Sequence, residues 1–116
     1  MSVDAKIKAI LGPFGDPVER SVYQGKAKRY YTFSYTTLGI SYADDAPQYE
    51  RYLIQIHFFA PLNENVLKRI KETKQALFKA CFSFPETTDT SDEDVRHIVF
   101  ECETTEDLAE YGDDYN

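Results

Sequence analysis

Few residues in this sequence have the chemistry to act on a substrate. The chain has two histidines, His57 and His97, and two cysteines, Cys81 and Cys102. A histidine serves as general base or metal ligand only beside a second group at a set distance, and neither has a ligand at metal spacing along the chain. Both fall on the outward registers of strand-like segments and read as solvent-facing or satisfied side chains. The cysteines form no Cys-x-x-Cys or Cys/His pattern and read as small buried hydrophobes. No Gly-x-Ser-x-Gly elbow, His-Glu-x-x-His pair or dinucleotide fingerprint occurs. These absences predict a protein that is not an enzyme, with no catalytic residues, no cofactor and no metal.

Three other clusters carry charge or rings. The acidic run Asp89 to Asp94 has the look of a calcium loop, but it lacks the glycine at the sixth position, and Glu101 falls one place past the twelfth. It reads as a solvated hairpin tip. Lys68, Arg69, Lys71, Lys74 and Lys79 could touch phosphates, yet they also suit the wet face of a helix in an acidic protein. Gly25-Lys26 has no phosphate-loop frame around it and reads as a turn. Tyr30, Tyr42, Tyr49 and Tyr52 gather around the segment holding Asp44-Asp45. Exposed Tyr beside charge is the make-up of a protein contact, and equally of a sheet surface.

The elements that would position these residues follow from hydrophobic period. Val3, Ile7, Ile10 and Leu11 recur at helical spacing behind Ser2 as N-cap, and Gly12-Pro13 ends the helix. Val18 to Gln24 reads as a short strand. Arg29 to Thr37 alternates with period 2, Ile40 to Tyr42 forms a second arm, and Ala43 to Pro47 breaks the pairing. Arg51 to Ala60 is the strongest strand, with Tyr52, Ile54, Ile56 and Phe58 on one face and Leu53, Gln55, His57 and Phe59 on the other. Asn63 is the expected N-cap of a helix to about Ala80, with Val66, Leu67, Ile70, Leu77, Phe78 and Cys81 as its apolar stripe. Phe82 to Thr88 and Arg96 to Thr104 read as a hairpin centred near Asp92. It would set Phe84 against Phe100 and Phe82 against Cys102, and so preclude a Cys81–Cys102 disulfide.

This order predicts an α+β fold: a mainly antiparallel sheet of about five strands with two helices on one face. A length of 116 residues suits one domain, residues 1–104, followed by an acidic mobile tail, residues 105–116. With hydrophobic residues at 42% and 17 Tyr and Phe, the composition excludes wholesale disorder. No stretch is apolar enough to span a bilayer, and the N-terminus has no secretory signal, so the chain is expected in the cytosol. Charge is two-ended. Met1 to Pro85 holds 12 Lys/Arg against 8 Asp/Glu, whereas Glu86 to Asn116 holds 1 against 12. Opposite fields on one molecule favour head-to-tail association.

The first helix ending in Gly-Pro, Tyr30-Tyr31-Thr32-Phe33-Ser34-Tyr35, Ala43-Asp44-Asp45, Tyr52 to Phe59, and Val66 to Phe82 together resemble small tail-completion or tail-terminator proteins of long-tailed phages and prophages of Gram-positive bacteria. The resemblance covers residues 2 to 104. It implies a virion structural protein at the head-tail junction, assembled in the host cytoplasm. There a ring, usually a hexamer, caps the tail tube, stops its polymerisation and meets the head connector proteins. DNA would pass through the ring without sequence-specific recognition. Under this resemblance Ile40 to Arg51 carries the subunit or tube contacts, with Tyr42 and Tyr49 as anchors, Asp44 and Asp45 as charged specificity groups, and Arg51 beside them. The chain departs from the pattern at Cys81, where a glycine is expected, and in its acidic tail. A head-side neck protein and an acidic nucleic-acid mimic are the competing readings.

Overall fold

The computed structural model describes residues 2–43 and 46–108 and has the α+β architecture expected. Helix α1 (Val3–Leu11) leads through a 3-10 turn (Gly12–Phe14) to β1 (Val18–Arg20), then β2 (Tyr30–Ala43), β3 (Ala46–Pro61), α2 (Leu67–Lys79), β4 (Glu86–Asp89) and β5 (Val95–Asp107). The strands form one sheet in the order β1-β2-β3-β5-β4, antiparallel except for β1 beside β2. No helix among the described residues is long and apolar enough to cross a membrane.

Period 2 sorts the strand residues between two faces. Tyr31, Phe33, Ile54, Ile56, Phe58, Ala60, Ile98, Phe100 and Cys102 point to one side, where Val3, Ile7 and Leu11 of α1 and Leu77 of α2 cover them. Each large side chain so buried contributes about 1.5–3 kcal/mol. Ser2 caps α1 by accepting the Ala5 N–H at 3.1 Å. At the centre, Tyr31 donates to Thr73 Oγ1 (2.9 Å), which itself donates to the Arg69 carbonyl (2.7 Å). Burial raises the Tyr31 pKa. Arg69 also grips Asp16 at 2.6 Å and lies over the rings of Phe14 and Phe58. This guanidinium, read from sequence as part of a wet basic face, instead pins the Gly12–Pro17 loop to the core.

Several boundaries differ from the sequence reading. β1 stops at Arg20, because Ser21 takes φ 66°. β2 runs unbroken through Leu38-Gly39, and its pairing with β3 continues to Ala43↔Ala46. Helix α2 begins at Leu67 rather than after Asn63, with Asn65 Oδ1 accepting the Leu67 N–H. Its buried stripe contains Thr73 and Leu77, while Leu67 and Phe78 are exposed. The β4–β5 hairpin sets Thr87, not Phe84, against Phe100. Residues up to Phe84 are therefore outside the ladder, and the Ser83 N–H reaches the Glu103 carbonyl. β5 carries on through Thr105–Asp107, so the first residues assigned to the tail belong to the sheet. Glu106 is buried there, bonded to Lys6 (3.3 Å) and the Tyr52 hydroxyl (3.1 Å). Both cysteines are free. Cys102 is buried as expected, with its thiol pushed up to about 12 by desolvation, but Cys81 is exposed.

The described chain is elongated, 54 × 25 × 22 Å, with a radius of gyration of 15.9 Å against about 13 Å for a compact domain of this size. The cause is the β2–β3 hairpin. Lys6 of α1 still reaches the sheet at Glu106, in the row of Gly39 and Glu50, and past that row the paired arm runs on to Ala43, a further ~14 Å at ~3.4 Å per residue. Its base is tied to α1, where Asp4 accepts a short hydrogen bond from the Tyr35 hydroxyl and pairs with Arg20, which lies over the Tyr35 ring.

Candidate functional site

The helices leave the second face of the sheet open, and its composition is uneven from row to row. At the foot, Tyr30, Phe59 and His97 lie side by side across β2, β3 and β5. Ring centroids run Tyr23–Tyr30 4.5 Å, Tyr30–Phe59 4.8 Å, Phe59–His97 4.3 Å and His97–His57 5.0 Å, a continuous band of five rings. Tyr23 reaches the band because Gly25 lies under its ring, where a Cβ would meet the hydroxyl at 2.1 Å, and that hydroxyl accepts the Ala27 N–H.

His57 and His97 are diagonal neighbours in the ladder, and sequence reading missed their contact. His57 Nε2 donates to Gln55 Oε1 at 2.9 Å, so its Nδ1 accepts from His97 Nε2–H at 2.7 Å. The His57 ring is thereby neutral, with its one proton on Nε2. Desolvation lowers the pKa of each, and a charge on His97 would lower His57 further. Asp92 and Asp89 of the hairpin tip pull His97 the other way. The tip acids serve the turn: Asp92 accepts the Asp94 and Val95 N–H groups, which hold its carboxyl below the usual range, and the Ser91 hydroxyl first and the Ser91 N–H second do the same for Asp89.

Two rows higher the face turns acidic and concave. Ser34, Gln55, Glu101 and Glu86 form one row, and Thr36, Leu53 and Glu103 the next. With Phe84 at the rim they line a groove of about 790 Å³. Leu53 and Phe84 remain 42% and 56% exposed in it. Glu86 stands directly opposite Glu101, and among the described residues no ion pair is made by these two or by Glu103.

The projecting hairpin carries the residues singled out from sequence. Tyr49 pairs with Ile40 and Asp107, and Arg51 with Leu38 and Thr105, on the same face as Leu53. Leu38 and Tyr49 are 52% and 40% exposed. Tyr42 pairs with Pro47 nearer the tip. Asp44 and Asp45 lie outside the described residues. The four tyrosines do not gather in one place. Tyr30 is at the opposite end of β2 in the aromatic band, and Tyr52 points to the helix side, edge-on to Tyr35 at 5.3 Å. Close spacing in sequence cannot bring them together, because a strand separates residues 12 apart by ~40 Å and turns alternate side chains to opposite faces. Beyond Phe33, whose carbonyl accepts the Ser21 N–H, the outer edge of β2 has no strand partner among the described residues.

The chain matches no protein-family model, and no curated protein matches it. Among solved structures, it is similar to a chain that carries a serial designation in place of a functional name. The two share 11% sequence identity with a TM-score of 0.54, over 87% of this chain and 84% of that one. The likeness is one of fold.

Proposed function

We propose that this chain is a structural protein of a phage or prophage virion that assembles as a ring at the end of the tail tube, stops tube growth and forms the tail side of the head-tail junction. The observation that carries the reading is the β2–β3 arm. A ribbon that outruns its helices leaves apolar side chains and backbone donors and acceptors in water, and such ribbons gain stability only against another surface. Tyr49 and Arg51 share a face of that arm with Leu38 and Leu53, one ring and one cation beside exposed aliphatics, the composition of a contact patch. The arm would meet a neighbouring subunit or the tube, and the connector would meet the assembled ring. The resemblance in residues 2–104 supplies the setting.

The test is a phage carrying Tyr49→Ala and Arg51→Ala together. Overlong, headless tails in electron micrographs are expected. Normal tail length and normal particle yield would overturn the assignment of the arm. Failure of the purified wild-type chain to bind isolated tail tubes would overturn the ring reading itself.

A further inference from the structure

The outer edge of β2 has none of the features that usually close a sheet edge, which are short strands, Lys, Pro and bulges. From Tyr30 to Ala43 the strand has 14 residues without one charge or proline, and it is rich in Tyr and Thr. Its register with β3 is constant from Tyr30↔Phe59 to Ala43↔Ala46, so no bulge turns the edge away. The Tyr31 N–H donates outward to the Pro17 carbonyl, and the Phe33 carbonyl accepts outward from the Ser21 N–H. Alternation directs the backbone groups of Tyr35, Thr37, Gly39, Ser41 and Ala43 the same way. β1 would cover them if it continued, but the chain leaves the sheet at Ser21, where φ is 66°. Among the described residues these outward groups have no backbone partner.

We infer that this edge pairs with the same edge of a second copy of this chain, antiparallel about a two-fold axis near Gly39, so that two sheets join into one. Register and charge select that occupant. Centred on Gly39, every outward residue meets one that is outward on the copy: Tyr35 meets Ala43, Thr37 meets Ser41, and Gly39 meets its counterpart. Such a ladder makes about ten hydrogen bonds, and Leu38, 52% exposed in the single chain, falls opposite Ile40 of the second copy. The strand offers no charge for an acidic or basic ligand to recognise, and what it matches is its own uncharged sequence. The other edge of the sheet is closed to such pairing. There β4 has four residues and carries Glu86 and Asp89, and Ser83 blocks β5, its N–H donating to the Glu103 carbonyl and its hydroxyl accepting the Glu103 N–H. The net charge of −7 is kept away from the contact. Residues 1–85 carry +4 (12 against 8) and residues 86–116 carry −11 (1 against 12), and the acidic part begins with β4 and β5, which lie beyond β3 from this edge. In the joined sheet the two β5 strands stand five strand spacings apart, about 24 Å, against a screening length of about 8 Å at physiological salt. Nearer the edge, Glu50 and Arg51 of β3 are adjacent and offset each other. The pairing engages the edge of the arm and not its Tyr49 and Arg51 face, and it holds whether or not the chain caps a tube.

The experiment is sedimentation velocity on the full chain over a series of protein and salt concentrations, comparing wild type, Thr37→Pro and Leu38→Lys. Wild type is expected to associate with rising concentration and to stop at two copies, because a two-fold contact occupies the edge of both. Added salt should leave the dimer unchanged or strengthen it, since the contact contains no ion pair and salt screens the remaining repulsion. Thr37→Pro removes an outward N–H, a change that an edge strand tolerates in the single chain. It should weaken dimerisation more than about tenfold, because one ladder bond is lost on each copy and its acceptor is stranded. Leu38→Lys leaves the backbone groups in place and sets a cation against the apolar side chain of the second copy. It too should weaken the dimer, and it serves alone should proline impair folding, which circular dichroism reads. A dimer undiminished in the folded variants, growth past two copies, or dissociation by salt would each overturn the pairing. A wild type that is monomeric at every concentration would overturn it as well and leave the edge to a strand of a different protein.

Discussion

His57 Nδ1 and His97 Nε2 share one proton at 2.7 Å, across a sheet face that partly shields both rings. Because each ring titrates below its ordinary value in the folded chain, the unfolded chain binds more protons once the pH falls below about 6.5. The pair's contribution is therefore undiminished above that pH and declines as the pH falls through the folded values. The thermal midpoint of wild type should drop between about pH 7.5 and pH 5.5. The His57→Gln/His97→Gln variant should be flatter in that window, and equal slopes for the two proteins would refute the linkage.

Cys81 has φ 70°, a left-handed conformation at the end of α2 in which the Phe82 N–H bonds back to the Leu77 carbonyl at 3.1 Å. That is the helix-ending arrangement that favours glycine. Cys81→Gly should stabilise the fold by about 1 kcal/mol, the steric cost of a Cβ in this region. Urea denaturation reads the gain, and a loss of stability would show that the thiol packs in a way its exposure does not suggest.

Arg69 and Asp16 form a mostly buried ion pair, with side chains 18% and 11% exposed. Removing one partner strands the other's charge. Asp16→Ala should cost about 3 kcal/mol, whereas Arg69→Met with Asp16→Leu should recover part of that loss. A cost below about 0.5 kcal/mol for Asp16→Ala, the range of an ordinary surface change, would mean that water solvates the Arg69 guanidinium fully.

Glu101 faces Glu86 directly. Exchanging one like charge for a β-forming neutral residue, Glu101→Thr, should stabilise the isolated chain by about 0.5 kcal/mol. The gain should shrink in high salt, as screening already weakens the repulsion. A salt-independent change in denaturation midpoint would point to packing instead.

The central β3 face and the amphipathic α1 were legible because each is a local pattern. Ser2 sits three residues before the N–H it caps, and Tyr52 to Phe58 alternates without interruption. The glycine at position 81 was expected from the family resemblance alone, and the left-handed backbone there is the conformation that such a glycine would suit. The candidate contact residues were only partly legible. Tyr49 and Arg51 do lie on the projecting arm, but period 2 placed Tyr52 behind them and strand length carried Tyr30 away. Arg69 looked like its lysine neighbours because a helical wheel does not record which loop folds back over the helix.

From its own residues the sequence determined the class of fold, the order of the elements and the division of charge along the chain. Those follow from side-chain period and composition within windows of ten or so residues. Tertiary structure alone decided which pairs of distant residues meet: His57 with His97, Glu86 with Glu101, Arg69 with Asp16. Strand register and helix docking are set by the summed packing of the whole core, and a shift of a few residues in one ladder, as between β4 and β5, exchanges every partner without changing a local pattern.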